Sequence, residues 1–460
     1  MPEILRLISP VDGRVYAERP LASAADAEAA LALAVRAGQA WQTTPLSERV
    51  AVLTRAIDAM GADQQRLAEE ITWQMGRPIA QTPGEIKGMQ DRARYMLSIA
   101  ASALAPVDPG PKEGFARRIE RVPVGVVAVI APWNYPYLTA INAVVPALAA
   151  GNAVILKHSQ QTALCAERLA EAFLRAGVPE GVFAYLHLAN EDTERLIADR
   201  RINFVCFTGS VATGHVVQRA VARGGFTGVA LELGGKDPAY VRADANLPHA
   251  IENLVDGAMF NSGQSCCAIE RIYVHEKLFD DFVAGAVDLT RRYRLGDPTD
   301  PATNLGPLVR TAAAEFVRAQ VGEAVRQGAR TLVRAVDRPG TPYMAPEILV
   351  NVDHSMRVMT EETFGPVVGV MKVSSDEEAV HRMNDSPYGL SAAIWTGDRG
   401  AADSIGARLA TGTVFMNRCD YLDPALAWVG VKDSGRGCSL SRLGYEQLTR
   451  PKSFHYRLAI

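Results

Sequence analysis

Val122–Leu156 reads VPVGVVAVIAPWNYPYLTAINAVVPALAAGNAVIL, a run without a charged residue and long enough to cross a bilayer. Its composition suggests a membrane span, but its prolines and asparagines do not. Pro123, Pro132, Pro136 and Pro146 interrupt any single helix, and Asn134, Asn142 and Asn152 would be costly in lipid. Three shorter elements fit better: a strand over Val124–Ile130, a helix over Tyr137–Ala150 and a strand over Ala153–Lys157. This is the start of a parallel α/β unit.

The alternation continues along the chain. Helix Ala163–Ala176 leads to strand Val182–His187, helix Asp192–Ala198 to strand Asn203–Phe207, and helix Val211–Ala222 to strand Val229–Leu233. Five short apolar strands with polar or Gly-rich turns imply a doubly wound nucleotide-binding sheet. A second α/β set follows, with strands at Arg271–His275, Ala329–Arg334, Val367–Lys372, Ser391–Trp395 and Thr413–Met416 and helices at Leu278–Arg292 and Ala312–Arg326. Upstream, Ala24–Ala40 and Leu46–Glu70 are Ala-rich and amphipathic, so they should pack as helices against the first sheet. Ala105–Arg121 combines Pro, Gly and clustered charge, and Ser453–Ile460 reads as a lone strand. Neither has a core of its own, and each suits an arm that pairs with a neighbouring subunit.

Bulk properties agree with a globular protein. A chain of 460 residues corresponds to about two to four domains. The 48 Lys plus Arg against 51 Asp plus Glu leave a net charge of -3, which gives no electrostatic footprint for nucleic acid or anionic lipid. Six cysteines are too sparse for a disulfide framework, and neither CxxC nor HExxH occurs, so free thiols in the cytoplasm and no metal centre are expected. Met1–Gly13 lacks the basic and apolar segments of a signal peptide.

Chemistry concentrates in a few turns. Asn261-Ser262-Gly263-Gln264-Ser265-Cys266-Cys267 is a polar loop with two adjacent thiols. They are either small buried hydrophobes or a nucleophile given backbone room by Gly263, and the local sequence does not choose between the two cysteines. No His lies in a pattern resembling cysteine hydrolases. Leu231-Glu232-Leu233-Gly234-Gly235-Lys236 puts a carboxylate at a strand end before two glycines, where α/β sheets place ligands; an ion pair or a helix cap would explain it equally well. Phe207-Thr208-Gly209-Ser210, with Gly214 further on, follows a strand and opens a helix, so its N–H groups and Ser210 could meet a phosphate. It is not GxGxxG, and an ordinary connection has the same look. Lys157 ends a strand where it could reach ribose hydroxyls or simply be solvated.

In this order and spacing, six blocks resemble the aldehyde dehydrogenase superfamily over nearly the whole chain. They are Pro132-Trp133-Asn134-Tyr135-Pro136, Lys157, Phe207-Thr208-Gly209-Ser210, Glu232-Leu233-Gly234-Gly235-Lys236, Gly263-Gln264-Ser265-Cys266 and Glu361-Glu362-Thr363-Phe364-Gly365-Pro366. The resemblance implies two doubly wound parallel-sheet domains plus a small β oligomerisation arm. Residues 1–104 and 124–233 would bind NAD(P), residues 234–445 would be catalytic, and residues 105–123 and 446–460 would form the arm and tail. It also implies that Cys266 is the nucleophile, that Asn134 and the Cys266 N–H hold an oxyanion, and that Glu232 activates the water that hydrolyses a thioester. Relatives that transfer the acyl group to coenzyme A usually lack that carboxylate, so hydrolysis is expected. Lys157 would bind the adenosine ribose, Ser210 and Trp133 the pyrophosphate region and Glu362 the nicotinamide ribose of NAD or NADP, with Phe364 near the nicotinamide and Gln160, Gly209, Gly214 and Leu233 also in the cofactor site.

Two departures bear on selectivity. Many NAD-preferring relatives have Glu three residues after the ribose-binding Lys; Gln160 here removes its repulsion of a 2'-phosphate, so NADP use is expected to be open. Where many relatives have Pro-Phe-Gly-Gly-x-Lys, this chain has Ala427-Trp428-Val429-Gly430-Val431-Lys432. Tyr135, Leu138, Leu422 and Trp428 are expected to line a substrate tunnel or to be plain core. An apolar or aromatic aldehyde would suit them; Asp420 and Asp423 would favour an amino-aldehyde, and Arg418 a carboxylated one. The expected partners are a small aldehyde and further copies of the chain, as homodimer or homotetramer, with no nucleic acid or membrane. The rival is a catalytically idle member of the fold with a structural or binding role.

Overall fold

The structure is a computed structural model that describes residues 3–459. The deciding stretch folds as strand Val126–Ala131, helix Pro136–Ala149 and strand Ala153–His158. Gly125, at φ 132, breaks the chain between strand Phe115–Pro123 and Val126, and Pro136 sits in the first helical turn, where its missing N–H costs nothing. Pro146 lies inside the helix, as it does in the expected helix Tyr137–Ala150. Only one backbone bond is lost there, and the helix ends three residues later. Asn152 is fully partnered: Oδ1 accepts from Gly125 N at 2.9 Å, and Nδ2 donates to the carbonyls of Ala147 and Leu448 at 3.0 Å. Among the described residues no helix is long and apolar enough to cross a membrane.

The first sheet has six strands in the order Gly435–Arg436, Gly228–Glu232, Ile202–Thr208, Val126–Ala131, Ala153–His158, Phe183–Tyr185. Five are parallel and the two-residue strand Gly435–Arg436 is antiparallel. Strand order therefore reverses between Val126–Ala131 and Ile202–Thr208, which opens a crevice at their carboxyl ends. The second sheet has seven strands in the order Arg330–Thr331, Glu347–Val350, Val367–Val373, Ile269–His275, Asp237–Val241, Ser391–Trp395, Thr413–Met416, all parallel except the first.

Several expectations need correcting. The central strand Asp237–Val241 was not anticipated, because Asp-Pro opens it just after Gly234-Gly235-Lys236, yet all five residues are buried. Glu347–Val350 was likewise not foreseen, and Ala329–Arg334 shrinks to the antiparallel edge Arg330–Thr331. Leu46–Glu70 is two helices, Leu46–Ala62 and Gln64–Met75, separated at Asp63. The helix Thr82–Ala103 and the hairpin Ile4–Ile8 with Val15–Pro20 were also not expected. The tail is not a lone strand: Thr449–Arg457 pairs antiparallel with Phe115–Pro123 over nine residue pairs, separate from both large sheets. The expectations that include Met1, Pro2 and Ile460 lie at those positions outside the described residues.

Candidate active site

The nucleophile loop is held in an unusual backbone. Asn261, Ser262 and Gly263 all have left-handed φ values, 52, 57 and 72, and a Cβ on Gly263 would collide with the Gly365 carbonyl. Buried hydrogen bonds over-determine this loop. Ser262 Oγ donates to Gly306 O at 2.9 Å, Gln264 Oε1 accepts from Val309 N at 2.8 Å, and Asn261 Nδ2 donates to Gln264 O at 3.1 Å.

The loop separates its two thiols. Cys266 is partly exposed and lines a cavity of about 410 Å³. Cys267 belongs to the same lining but is only 2% exposed, and its Sγ donates to Asp420 Oδ1 at 2.9 Å, as does Ser265 Oγ at 2.9 Å. The adjacent Cys266 sulfur, burial and the Asp420 carboxylate all push the Cys267 thiol well above the ordinary thiol range. Ionisation of Cys267 is therefore disfavoured.

Asn134, 5% exposed, follows the strand end at Ala131, and its Nδ2 donates to Gln264 O at 3.2 Å, tying it to the thiol loop. An amide has two such donors, so one interaction leaves capacity for a second acceptor. Its position depends on the unanticipated segment before residue 104. Arg77, 1% exposed, donates to the Asn134 carbonyl, to Glu85, and through Nε to Asn261 Oδ1 at 2.9 Å. Glu85 Oε1 accepts from Tyr137 N at 2.8 Å and Leu138 N at 3.3 Å, supplying the N-terminal cap that helix Pro136–Ala149 lacks on its own. One guanidinium and one carboxylate thus lock Asn134 and the thiol loop together.

Glu232 lies elsewhere. Its Oε1 accepts from Ser439 Oγ, and it faces a separate pocket of about 20 Å³ that also includes Asn142. It is not among the residues that line the Cys266 cavity. Burial raises its carboxyl above the usual range, while the Ser439 hydroxyl and the Arg92 charge oppose that shift.

The carboxyl ends of the first sheet gather the expected dinucleotide residues. Ser210 caps helix Val211–Gly224, its Oγ accepting from Thr213 N at 3.3 Å, and Gly209 N donates to Glu232 O at 3.0 Å. A Cβ on Gly214 would meet Leu233 Cδ2 at 2.7 Å, so helix and strand end approach closely there. Lys157 is partly buried on its strand, and burial lowers its ammonium below the usual range. Gln160 Nε2 donates to Leu188 O at 3.3 Å. Trp133 meets Phe364 edge-on, ring centroids 5.6 Å apart. Phe364 has φ 53, and its N–H, with that of Thr363, donates to Glu270, itself paired with the buried Lys236 at 2.6 Å. Glu362 Oε1 accepts from Gly235 N at 3.2 Å, and burial with the Glu270 charge raises its carboxyl to about 8.

Of the four tunnel residues, Tyr135, Leu138 and Leu422 line the Cys266 cavity. Trp428 does not; it is buried and its backbone pairs with Ser439. Asp420 lines the cavity but is engaged by Ser265 and Cys267, whereas Asp423 holds a turn at Ala425 N. Arg418 stacks on the Tyr421 ring, 3.8 Å from its centroid, outside the cavity lining. Sequence reasoning missed Arg77, Glu85 and Arg92. The available signal was the spacing of Glu85, Gly88 and Arg92, which puts two charges and a glycine on one face of a helix.

Comparison with known proteins agrees with this geometry. The profile of the aldehyde dehydrogenase family matches residues 2–454. The chain is similar to the succinate semialdehyde dehydrogenase [NAD(P)+] Sad of Escherichia coli (strain K12), 34% identical over 441 residues, with 96% of this chain and 95% of that protein covered. It is also 34% identical to a succinate-semialdehyde dehydrogenase [NADP(+)] of Deinococcus radiodurans, covering 97% of this chain and 93% of the relative. Among solved structures, an indole-3-acetaldehyde dehydrogenase complexed with NAD+ superposes with a TM-score of 0.96 at 32% identity, covering 99% of this chain and 94% of the other. Family profile, full-length relatives and superposed fold coincide: the chain belongs to the aldehyde dehydrogenase family and is an NAD(P)-dependent oxidoreductase of that class.

Proposed function

We propose that this protein oxidises an aldehyde to its carboxylic acid through a covalent intermediate on Cys266. The carrying observation is the difference between two thiols that line one cavity: Cys266 is partly exposed there, while Cys267 is 2% exposed and bound to Asp420. The Cys266 thiolate adds to the aldehyde carbon, and the carbonyl π electrons move to the oxygen. The Asn134 amide and the Cys266 N–H stabilise that oxyanion as it forms. Bound NAD(P)+ supplies the acceptor for the hydride that leaves this carbon, and a thioester remains on Cys266. Glu232 then takes a proton from water as the water oxygen attacks the thioester; the C–S bond breaks, giving the acid and the thiolate. For this step Glu232 must release Ser439 and turn toward Cys266.

The strand-end residues fit a dinucleotide. Gly209 and Ser210 open a capped helix at the sheet's reversal point, Lys157 supplies a donor for ribose hydroxyls, and Glu362 and the Trp133–Phe364 pair suit the nicotinamide side. The neutral Gln160 leaves NADP admissible beside NAD, and several relatives are named for NADP(+). On this reading residues 1–104 and 124–233 hold the cofactor, residues 234–445 carry the thiol, and residues 105–123 and 446–460 form an arm. An isolated two-stranded ribbon is marginal in water, so the arm's largely exposed strand Thr449–Arg457 and its partly buried partner Phe115–Pro123 support a homodimer or homotetramer. Succinate semialdehyde, named for the relatives, is the first substrate to try. The test is formation of NAD(P)H absorbance and carboxylic acid on mixing protein, cofactor and a panel of aldehydes. No turnover with any aldehyde and either cofactor would refute the reading.

A further inference from the structure

Helix Thr82–Ala103 contributes three charged residues to the cavity beside Cys266: Asp91, exposed at the rim, and Glu85 and Arg92, which differ in one respect. Glu85 is satisfied by Arg77 and by two backbone N–H groups of the next helix. Arg92, one face-repeat further along, lines the same cavity as Cys266 and is partly buried, yet it has no hydrogen bond or ion pair among the described residues. Its guanidinium feels Cys267, Glu232, Glu85 and Cys266 only at a distance, and burial lowers its proton affinity. Among the described residues no acceptor of this chain engages its five N–H donors.

The nearby carboxylates do not fill that role. Glu85 and Asp420 are engaged as described, and Glu232 holds Ser439 in its own pocket. Asp91 follows Gln90 on the exposed side of the helix at the cavity rim, and Asp256 lines the cavity without contacting Arg92. Burial moves Asp256 and Asp420 toward their neutral forms. A carboxyl can shed a costly charge by binding a proton, but a guanidinium keeps its charge throughout the accessible pH range. Arg92 is thus the cation of the cavity lining without a partner among the described residues, Arg77 being paired with Glu85, and a partly buried guanidinium favours a planar anion that accepts two hydrogen bonds.

We propose that Arg92 is the carboxylate anchor of this cavity, so that the substrate class is an aldehyde bearing a carboxylate at the end opposite the reacting carbon. The proposal rests on Cys266 as nucleophile and deepens that reading, because thiol and guanidinium line one cavity and together fix both ends of the substrate. It replaces Arg418, which stacks on Tyr421 outside the cavity.

The experiment compares succinate semialdehyde with butanal, of the same chain length without the carboxylate, in wild type, Arg92→Met and Arg92→Lys. Arg92→Met should lower kcat/KM for succinate semialdehyde about a hundredfold, mainly through KM, and lower that for butanal far less. Arg92→Lys, which keeps the charge but loses the planar fork, should fall between wild type and Arg92→Met. Succinate, with no aldehyde group, should raise the Tm of the wild type with NAD(P)+ and leave that of Arg92→Met unchanged, a readout independent of turnover. Equal losses on both aldehydes would overturn the anchor and make Arg92 a support of the thiol; no loss on either, or the same succinate shift in both proteins, would also overturn it. A wild type that oxidises neither aldehyde but still shows the Arg92-dependent succinate shift would instead count against Cys266 chemistry while leaving the anchor standing.

Discussion

Cys266 opens onto a cavity of about 410 Å³, whereas Glu232 is held by Ser439 at a pocket of about 20 Å³. The first region is rigid: Arg77, Glu85, Asn134 and Asn261 form one buried hydrogen-bonded unit behind the thiol loop. The second rests on one hydroxyl and a carboxyl whose ionisation burial already disfavours. The difference divides the proposed reaction in time. The groups proposed for thiol addition are joined in one network, while the proposed base for hydrolysis rests on Ser439 outside the lining of the Cys266 cavity and is called on only after the hydride has left.

Substitutions can break or sharpen this contrast. The largest effect belongs to Cys266→Ser, which should lower turnover by about 10⁴-fold or more, since a hydroxyl without an adjacent base is a poor nucleophile; Cys267→Ser should cost less than about tenfold in the same assay. Next, Arg77→Met should destabilise the fold by about 3–5 kcal/mol in denaturant unfolding, because it leaves Glu85 buried without its charge partner. Glu232→Gln should lower the steady-state rate about a hundredfold and retain a rapid first turnover of NAD(P)H in stopped flow, placing the defect after hydride loss. The smallest effect is that of Ser439→Ala, a change of less than about tenfold at high pH. Its signature lies in the pH profile: Glu232 must be ionised to act as base, so the rate falls as pH drops through its raised pKa. Ser439 stabilises the ionised form, so removing the hydroxyl should move this acidic limb to higher pH.

Much of the fold was legible because its signals are local. The helices Ala24–Trp41, Ala163–Ala176, Val211–Gly224 and Thr311–Arg326, and the strands Ser391–Trp395 and Thr413–Met416, follow apolar periodicity within a residue or two. Asp237–Val241 was hidden because a buried strand entered through Asp-Pro carries no alternation, and Asp237 is tolerated there only because Ser391 N donates to it at 3.0 Å. The pairing of Phe115–Pro123 with Thr449–Arg457 joins segments from opposite ends of the chain, so no local pattern could reveal it. The candidate site divides the same way. Motif resemblance pointed to Cys266, Glu232 and Asn134, while Arg77, Glu85 and Arg92 gain meaning only from tertiary contacts across the cavity. The withdrawal of Glu232 toward Ser439 spans residues too far apart in the chain to be foreseen.

The central claim concerns one sulfur, and trapping the intermediate tests it most directly. Glu232→Gln protein mixed with aldehyde and NAD(P)+, quenched in acid and digested, should yield a peptide carrying the acyl group as a thioester on Cys266, with Cys267 unmodified. An acyl group on Cys267, or turnover to NAD(P)H with no thioester on Cys266 under these conditions, would contradict the account.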